Sequence, residues 1–243
     1  MHVERAPAKL TVSLRITGAR ADGYHLIDAE MVSLDFGDTL SFAEGDRLEV
    51  TGPVAAGVPT GEDNLVRRAL AATGRRALVR LEKGVPAGAG LGGGSSDAAA
   101  VLRWAGCRDV AVAARLGADV AFCVVGGRAR VRGIGDVLEP LPFLSRTFTL
   151  LVPPVPVDTA AVYRAWDDLG GPPAANGSVN DLEPAALAVA PELAEWRDRL
   201  ASATGERPQL AGSGGSWFVE GDYPGEGRIV SRTVASHREA DRL

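Results

Sequence analysis

The 243-residue chain has little of several features that mark other protein classes. Its two cysteines, Cys107 and Cys123, lack the paired spacing of a zinc site, so we expect reduced thiols. No apolar run approaches the roughly 20 residues that a membrane-spanning helix needs, and the start lacks the apolar core of a signal peptide. These absences predict a cytoplasmic protein without a membrane partner.

Excess positive charge is also lacking. Lys and Arg total 26 against 31 Asp and Glu, which gives a formal net charge of −5. Nucleic-acid binding draws on clustered Lys and Arg, and no basic stripe with interleaved aromatic residues is present. We therefore expect no nucleic-acid partner. The composition suits either a monomer or a weak homodimer.

Glycine, in contrast, is concentrated in one segment, residues 86–96, which we call the glycine loop. Five glycines fall within positions 88–94, between an apolar alternating stretch at 77–82 and an alanine-rich stretch after Asp97. Glycine lets backbone N–H groups approach an anion closely, and the N-terminus of a following helix carries partial positive charge. The sequence therefore predicts a strand, a phosphate-binding loop and a helix in that order.

Two commoner nucleotide loops do not fit this segment. It lacks the Gly-Lys-Ser/Thr ending of the Walker loop, so no lysine within it can reach terminal phosphates. Residues 88–93 contain Gly-x-Gly-x-x-Gly, but the strand-end acid that dinucleotide-binding proteins carry about 20 residues later is missing. A glycine-rich turn without a ligand stays open as the alternative.

The order of predicted elements is typical of an α+β fold rather than of a regular βαβ repeat. Helices are predicted at 63–72, with Asp63 as N-cap, and at 109–116, whereas the apolar run 121–125 is expected to be a strand. A proline-rich stretch at 140–156 marks the entry to a second lobe, so we predict lobes at 1–145 and 146–243. The second lobe is predicted to contain a strand at 147–152 and helices at 159–169 and 185–201. A second glycine segment, residues 211–216, is expected to form the other wall of one cleft.

Five segments match GHMP kinases in the order in which that family has them. They are Pro-Ala-Lys-Leu at 7–10, Gly-Ala-Arg-Ala-Asp-Gly-Tyr-His at 18–25, the glycine loop, Leu-Gly-Ala-Asp-Val at 116–120 and Ala-Gly-Ser-Gly at 211–214. The chain resembles most closely the members that act on a cytidine diphosphate derivative of methylerythritol. The resemblance implies a two-lobed GHMP kinase fold, with an N-terminal lobe similar to ribosomal protein S5 domain 2 and a ferredoxin-like C-terminal lobe.

The resemblance also implies a reaction. ATP, with Mg²⁺, would phosphorylate the 2-hydroxyl of 4-diphosphocytidyl-2-C-methyl-D-erythritol, a step of non-mevalonate isoprenoid biosynthesis. Asp119 would accept or orient the hydroxyl proton, and Lys9 would keep that carboxylate ionised and offset phosphoryl charge. From the residues alone, two alternatives stay open: Asp119 as a helix N-cap and Lys9 as a solvated strand residue.

The binding residues that the resemblance implies fall into two sets. Those expected to bind ATP are Asn64, near the adenine, and the loop residues Pro86, Ala87, Gly88, Ala89, Gly90, Leu91, Gly92, Gly93, Gly94, Ser95 and Ser96. Those expected to bind the acceptor are Thr11, Tyr24, His25, Val155, Gly212 and Ser213, with Tyr24 and His25 holding the cytosine. No residue is assigned to a metal.

The chain departs from the family at Thr11, where Asn is usual. Thr keeps a hydroxyl but lacks the amide, so we expect the loss of one hydrogen bond, to the acceptor or to the Lys9–Asp119 pair, at a cost of about 0.5–1.5 kcal/mol. Ala121 stands where Pro is common, and the chain is shorter than most relatives. Two alternatives remain: a GHMP kinase for a mevalonate- or homoserine-like alcohol, which needs no cytosine clamp, and a non-catalytic nucleotide-binding relative. Retention of Lys9 and Asp119 argues against the second.

Overall fold

A computed structural model describes residues 1–174 and 177–237. Its first part contains β1 (His2–Ala19), β2 (His25–Ala43), β3 (Arg47–Thr51), α1 (Leu65–Ala72), β4 (Leu78–Glu82), α2 (Gly93–Trp104), α3 (Val110–Leu116), α4 (Ala118–Val125), β5 (Arg128–Gly133) and β6 (Val137–Pro140). Its second part contains β7 (Thr147–Leu151), α5 (Thr159–Asp168), α6 (Glu183–Val189), α7 (Leu193–Thr204), β8 (Gln209–Leu210), β9 (Trp217–Glu220) and β10 (Arg228–Arg232).

The first sheet has the strand order β3-β4-β2-β5-β6, and β1 pairs with β2. The β1–β2 pair is a long antiparallel hairpin that runs from His2 opposite Phe42 to Ala19 opposite His25. Its register shifts between Pro7 and Lys9. Such a bulge bends a strand and redirects its side chains, so the irregularity lies where the sequence places the candidate lysine.

Helix α2 lies at the centre of the first core. It packs against β1, α1 and α4, and its alanines Ala98, Ala99 and Ala100 are fully buried. Small side chains let the helix backbone approach its neighbours closely, and close-packed protein interiors resist displacement. The helix that follows the glycine loop is therefore held firmly against the strand that carries Lys9.

The second sheet has the order β10-β7-β9-β8. Trp217 of β9 and Leu193 of α7 belong to a second core, and Leu14 and Ile27 of the β1–β2 hairpin are part of the same core. The hairpin thus contributes side chains both to the first sheet and to the core beside the second one. This arrangement brings residues of α5 near the start of β2.

The structure corrects three local predictions. Residues 121–125 belong to helix α4, not to a strand, because a short buried apolar run does not distinguish the two. The N-cap of α1 is Asn64 rather than Asp63, and its side chain accepts a hydrogen bond from the Val66 N–H. The expected helix at 185–201 is two helices, since Pro191 between them cannot donate a backbone hydrogen bond.

Candidate functional site

Lys9 and Asp119 meet although they lie on different elements, β1 and α4. The Lys9 Nζ is 3.1 Å from the Asp119 Oδ2, and their side chains are 7% and 32% exposed. Asp119 lies in the first turn of α4, whose N-cap is Gly117, so the N-cap interpretation of Asp119 is wrong. The pair combines a buried ammonium with a carboxylate that a ligand can reach.

Thr11 is the second partner of Lys9. It is buried, and its Oγ1 accepts a hydrogen bond of 3.1 Å from the Lys9 Nζ. The hydroxyl therefore helps to orient the ammonium toward Asp119.

The glycine loop lies directly on Lys9. The Lys9 N–H donates to the Leu91 carbonyl at 2.9 Å. Gly92 has φ +68°, and a Cβ at this position would stand 2.5 Å from the Lys9 Cγ. Only glycine allows this backbone conformation together with so close an approach.

This contact yields a prediction for Gly92→Ala. The added methyl group should displace the Lys9 side chain and lower kcat/KM about 10²-fold, the typical effect of misplacing a reacting group by about 1 Å. Gly74→Ala is the matched control because Gly74 has φ +63° with nothing within 4 Å of a Cβ and does not line the cleft along the loop. Steady-state kinetics of both variants would separate the clash from backbone strain; equal losses would contradict the role of the Lys9 contact.

The second glycine segment, residues 211–216, touches the first. A Cβ on Gly90 would collide with the Gly214 carbonyl oxygen, and one on Gly215 would stand 2.7 Å from the Gly88 carbonyl oxygen. The Ser216 hydroxyl donates to the Ala89 carbonyl at 2.6 Å. A Cβ on Gly212 would lie 3.6 Å from the Lys9 Nζ, so both glycine segments reach the catalytic candidates.

A cleft of about 330 Å³ lies along the glycine loop. Asn64 lines it, but its side chain is occupied as a cap and as a donor to the Pro59 carbonyl at 2.6 Å. Ser95 lines the cleft, whereas Ser96 is buried and its hydroxyl donates to the Pro7 carbonyl at 2.5 Å. Leu91 is also buried and belongs to the core. The Ser96 hydroxyl and the Leu91 side chain therefore fix the loop in place rather than face the cleft.

A buried charge cluster beneath the loop was not found from the sequence. The Lys83 Nζ contacts Asp38 and lies 2.9 Å from the Asp97 Oδ2, and the three side chains are 3%, 0% and 4% exposed. The Asp38 Oδ1 accepts from the N–H groups of Gly84 and Val85 at 2.6 and 2.8 Å. The cluster thus fixes Gly84 and Val85, the two residues directly before the glycine loop.

One sequence signal could have pointed to Lys83. The chain contains only two lysines, Lys9 and Lys83, among its 26 basic residues. An ammonium is a compact point charge with three donors, unlike the wide planar fork of Arg. A lysine in a chain whose other basic residues are nearly all arginine indicates a position that needs a compact ammonium.

Burial shifts the protonation of the cluster. Burial raises the pKa of Asp97 to about 8, against the opposing effect of the Lys83 charge. Burial alone would lower the pKa of Lys83, but the charges of Asp97 and Asp38 outweigh it and raise that pKa. At neutral pH the folded protein therefore favours the protonated form of both Asp97 and Lys83.

The raised pKa of Asp97 predicts how stability changes with pH. Between the unfolded value of 3.8 and about 8, the folded protein binds more protons at this group than the unfolded chain, so Asp97 lowers stability as pH rises. Asp97→Asn removes this effect. The unfolding free energy of the variant minus that of the wild type should rise by up to about 1.4 kcal/mol per pH unit in that window. Urea unfolding from pH 4 to 8 checks this; a constant difference would contradict it.

On the acceptor side of the site, Tyr24 and His25 are adjacent in sequence but differ in exposure. Tyr24 is 61% exposed. The side chain of His25 is 9% exposed and inserts against α5, stacked on Tyr163 with ring centroids 5.0 Å apart and edge-on to Trp166 at 5.5 Å. Sequence analysis missed Tyr163 and Trp166, since aromatic residues on a helix are typical of ordinary packing.

Helix α5 also reaches toward Asp119. The pKa of Tyr163 is raised to about 12 by burial and, in addition, by the charge of Asp119. The Ser213 hydroxyl hydrogen-bonds that of Thr159 at 2.8 Å, and the partly buried Val155 packs at the edge of the same core as Tyr163. His25 and Ser213 therefore contact α5, Val155 belongs to the same core, and Gly212 lies beside Thr11 and Lys9. The hydrogen bonds of Tyr24 join it to Asp22 and Arg20 of its own turn.

Two features are absent from residues 1–174 and 177–237. No helix in these ranges is long and apolar enough to cross a membrane. The same ranges contain no group of three or more His, Cys, Asp or Glu side chains placed to hold a metal ion.

Comparison with known proteins gives consistent matches. The family model described as "GHMP kinases N terminal domain" matches residues 64–127. The 4-diphosphocytidyl-2-C-methyl-D-erythritol kinase of Paracoccus denitrificans is 41% identical over 233 residues, which cover 88% of this chain and 85% of the relative. The enzyme of the same name from Cereibacter sphaeroides is 40% identical over 241 residues, covering 88% and 87%.

A solved structure agrees. The crystal structure of a 4-(cytidine 5'-diphospho)-2C-methyl-D-erythritol kinase matches with a TM-score of 0.73 and 30% identity, covering 96% of this chain and 100% of that one. The GHMP kinase fold that the resemblance implies is confirmed. The chain belongs to the 4-diphosphocytidyl-2-C-methyl-D-erythritol kinase family of the GHMP kinases.

Proposed function

We propose that this protein transfers the terminal phosphoryl group of ATP to the 2-hydroxyl of 4-diphosphocytidyl-2-C-methyl-D-erythritol, in isoprenoid precursor biosynthesis. The observation that carries the proposal is the Lys9–Asp119 pair at 3.1 Å, placed where the two glycine segments meet. A tertiary alcohol is a poor nucleophile unless its proton is accepted, and the loop beside the pair suits the phosphates of the donor.

Asp119 and Lys9 would have different roles in the reaction. Asp119, which is partly exposed, would accept or orient the proton of the acceptor hydroxyl. Lys9 would keep that carboxylate ionised and would offset the charge that develops on the transferred phosphoryl oxygens. Because Lys9 is buried and fixed by Thr11 and the glycine loop, little reorganisation would be needed during the reaction.

The nucleotide would enter as MgATP, with its triphosphate along the glycine loop and its base toward Asn64. Mg²⁺ in such sites is held largely by the substrate phosphates and water, so no dedicated protein cage is required. Backbone N–H groups at the start of α2, aided by the helix dipole, would bind the phosphates.

The acceptor would lie across the Gly212–Ser213 turn, with its cytosine between Tyr24 and the aromatic cluster of His25 and Tyr163. Aromatic side chains would suit a flat base, because stacking can occur on both of its faces. Val155 would line the cleft beside them.

The test is phosphoryl transfer from MgATP to three acceptors in parallel: 4-diphosphocytidyl-2-C-methyl-D-erythritol, mevalonate and homoserine. Product from the cytidine compound alone supports the proposal. Product from another acceptor would replace the substrate assignment, and ATP binding without product from any of them would favour a non-catalytic relative.

Three further expectations stay predictions. They are the division into lobes at 1–145 and 146–243, a monomeric or weakly dimeric state, and a cytoplasmic location. Light scattering over a range of protein concentrations tests the second.

A further inference from the structure

Asn180 makes buried hydrogen bonds that the reaction described above does not use. Its Nδ2 donates to the Leu210 carbonyl at 2.9 Å and to the Gly212 carbonyl at 2.6 Å. We call residues 211–214, which begin between these two carbonyls, the acceptor turn. We infer that Asn180 is a positioning residue that holds this turn beside Lys9 and thereby sets where the acceptor lies. This inference rests on the proposed function, since it assumes that the acceptor binds at the turn.

The acceptor turn lies beside the side chains that the reaction would use. A Cβ on Gly212 would lie 3.5 Å from the Thr11 Oγ1 and 3.6 Å from the Lys9 Nζ, so the space of one methyl group separates the turn from both. Asn180, in contrast, is 1% exposed and does not itself contact a substrate. Its amide would therefore act on the reaction only through the position of the turn.

Asn180 is itself attached to β1, the strand that carries Lys9. The Leu14 N–H donates to the Val179 carbonyl at 2.9 Å, and the Asp181 N–H donates to the Leu14 carbonyl at 3.0 Å. Asn180 thus lies opposite Leu14 in a parallel bridge. The backbone on both sides of Asn180 is therefore bound to this strand.

The carboxylate of Asp181 adds to this attachment. It is 6% exposed and accepts from the Ile16 N–H and from the Arg15 guanidinium, each at 2.8 Å. A continuous chain of hydrogen bonds thus runs from β1 through residues 179–181 to the acceptor turn, which lies against the side chain of Lys9. Such a chain fixes the distance between the turn and the ammonium, because both of its ends are on the same strand.

The three side-chain bonds of Asn180 need two donors and one acceptor. The NH₂ group supplies both donors, and Oδ1 accepts from the Leu182 N–H at 2.9 Å. A Ser hydroxyl can keep the bond to the N–H two residues further on, but it ends one bond nearer to the backbone than the amide nitrogen. We therefore expect Asn180→Ser to leave the Leu210 and Gly212 carbonyls without this donor.

The far end of the second glycine segment is held without Asn180. The Ala211 N–H donates to the Ser216 carbonyl at 2.9 Å, and the Ser216 hydroxyl donates to the Ala89 carbonyl of the glycine loop at 2.6 Å. Loss of the Asn180 amide should therefore displace the acceptor turn and leave the glycine loop in place. We expect a defect in the use of the acceptor and none in the binding of ATP.

The first experiment measures kcat/KM for 4-diphosphocytidyl-2-C-methyl-D-erythritol and the Kd for ATP. In Asn180→Ser, kcat/KM should fall about 10²-fold, the typical effect of a displacement of about 1 Å, while the Kd for ATP stays unchanged. Gln209→Ala is the matched control, because the Gln209 Oε1 accepts from the Val179 N–H at 3.1 Å and joins the same two segments outside the turn. It should keep wild-type kinetics. Equal losses in both variants, or a parallel loss of ATP affinity, would overturn the inference.

The second experiment reads the turn without turnover, as amide hydrogen exchange of residues 211–216 followed by mass spectrometry. Exchange should be faster in Asn180→Ser than in the wild type and unchanged in Gln209→Ala. Arg15→Met retains the buried amide, since the Arg15 side chain is 46% exposed and bonds Asp181 from outside. It should accelerate exchange of the same residues by a smaller factor. If Asn180→Ser does not fold, Arg15→Met decides, and unchanged exchange in it overturns the inference.

The two experiments keep the failures apart. If exchange at 211–216 rises in Asn180→Ser but the wild type phosphorylates no acceptor, the proposed reaction fails and the positioning of the turn by Asn180 stands. If the wild type forms product and Asn180→Ser keeps its kcat/KM, the reaction stands and the positioning role fails.

Discussion

Replacing Asp119 with Asn is expected to lower kcat about 10³-fold, within the range of losses seen when a general base is removed. Asn has nearly the same size but cannot accept a proton, and it leaves the buried Lys9 ammonium without its counter-charge at 3.1 Å. ATP affinity should change little, because Asp119 does not line the cleft along the glycine loop. The variant should therefore bind nucleotide and fail to transfer phosphate.

The measurement pairs steady-state kcat at saturating substrates with calorimetric Kd values for ATP. Asp222→Asn, at an exposed carboxylate, serves as the control and should retain wild-type kinetics. If Lys9 and Asp119 act as a unit, the double variant Lys9→Met/Asp119→Asn should be about as slow as the slower single variant. Near-normal turnover in Asp119→Asn would remove the base assignment, and fully additive losses would show that the two residues act independently.

The features that the sequence predicted well depend on local chemistry. The glycine loop was recognisable because positive φ at Gly88, Gly90 and Gly92 excludes most other residues, whatever the rest of the chain does. The strand before it and the helix after it follow from short-range patterns. Lys9 and Asp119, in contrast, were paired only through the family resemblance, and the structure now brings them together.

The features that the sequence did not predict depend on long-range packing. Nothing near His25 shows that its ring will stack on Tyr163 and bond Asp167, since α5 follows much later in the chain. The apolar run 121–125 predicts a strand instead of the end of α4, because it is too short and too buried for either periodicity to be visible. Lys83 directly follows strand β4 and would ordinarily be expected to be solvated; only the folded chain places Asp38 and Asp97 around it.

The second large effect is expected at that cluster: Lys83→Met should lower the free energy of unfolding by about 3–5 kcal/mol. Methionine matches the length of the lysine stem but removes the charge, which leaves two buried carboxyl groups facing each other. The surface pair of Arg130 and Asp28 provides the control, because its side chains are 48% and 27% exposed. Arg130→Met should cost only about 0–1 kcal/mol.

A second substitution tests whether charge balance is the cause. Asp97→Asn in the Lys83→Met background removes one of the two unpaired carboxyl groups, so it should restore part of the lost stability rather than add to the loss. Lys83 contacts Asp38, which accepts hydrogen bonds from the N–H groups of Gly84 and Val85. The single variant Lys83→Met should therefore bind ATP more weakly, because the glycine loop would be less ordered. Urea unfolding and calorimetry measure both effects. If Lys83→Met is no more harmful than Arg130→Met, the ammonium is not what holds Asp38 in place, and the start of the glycine loop must be fixed by its packing alone.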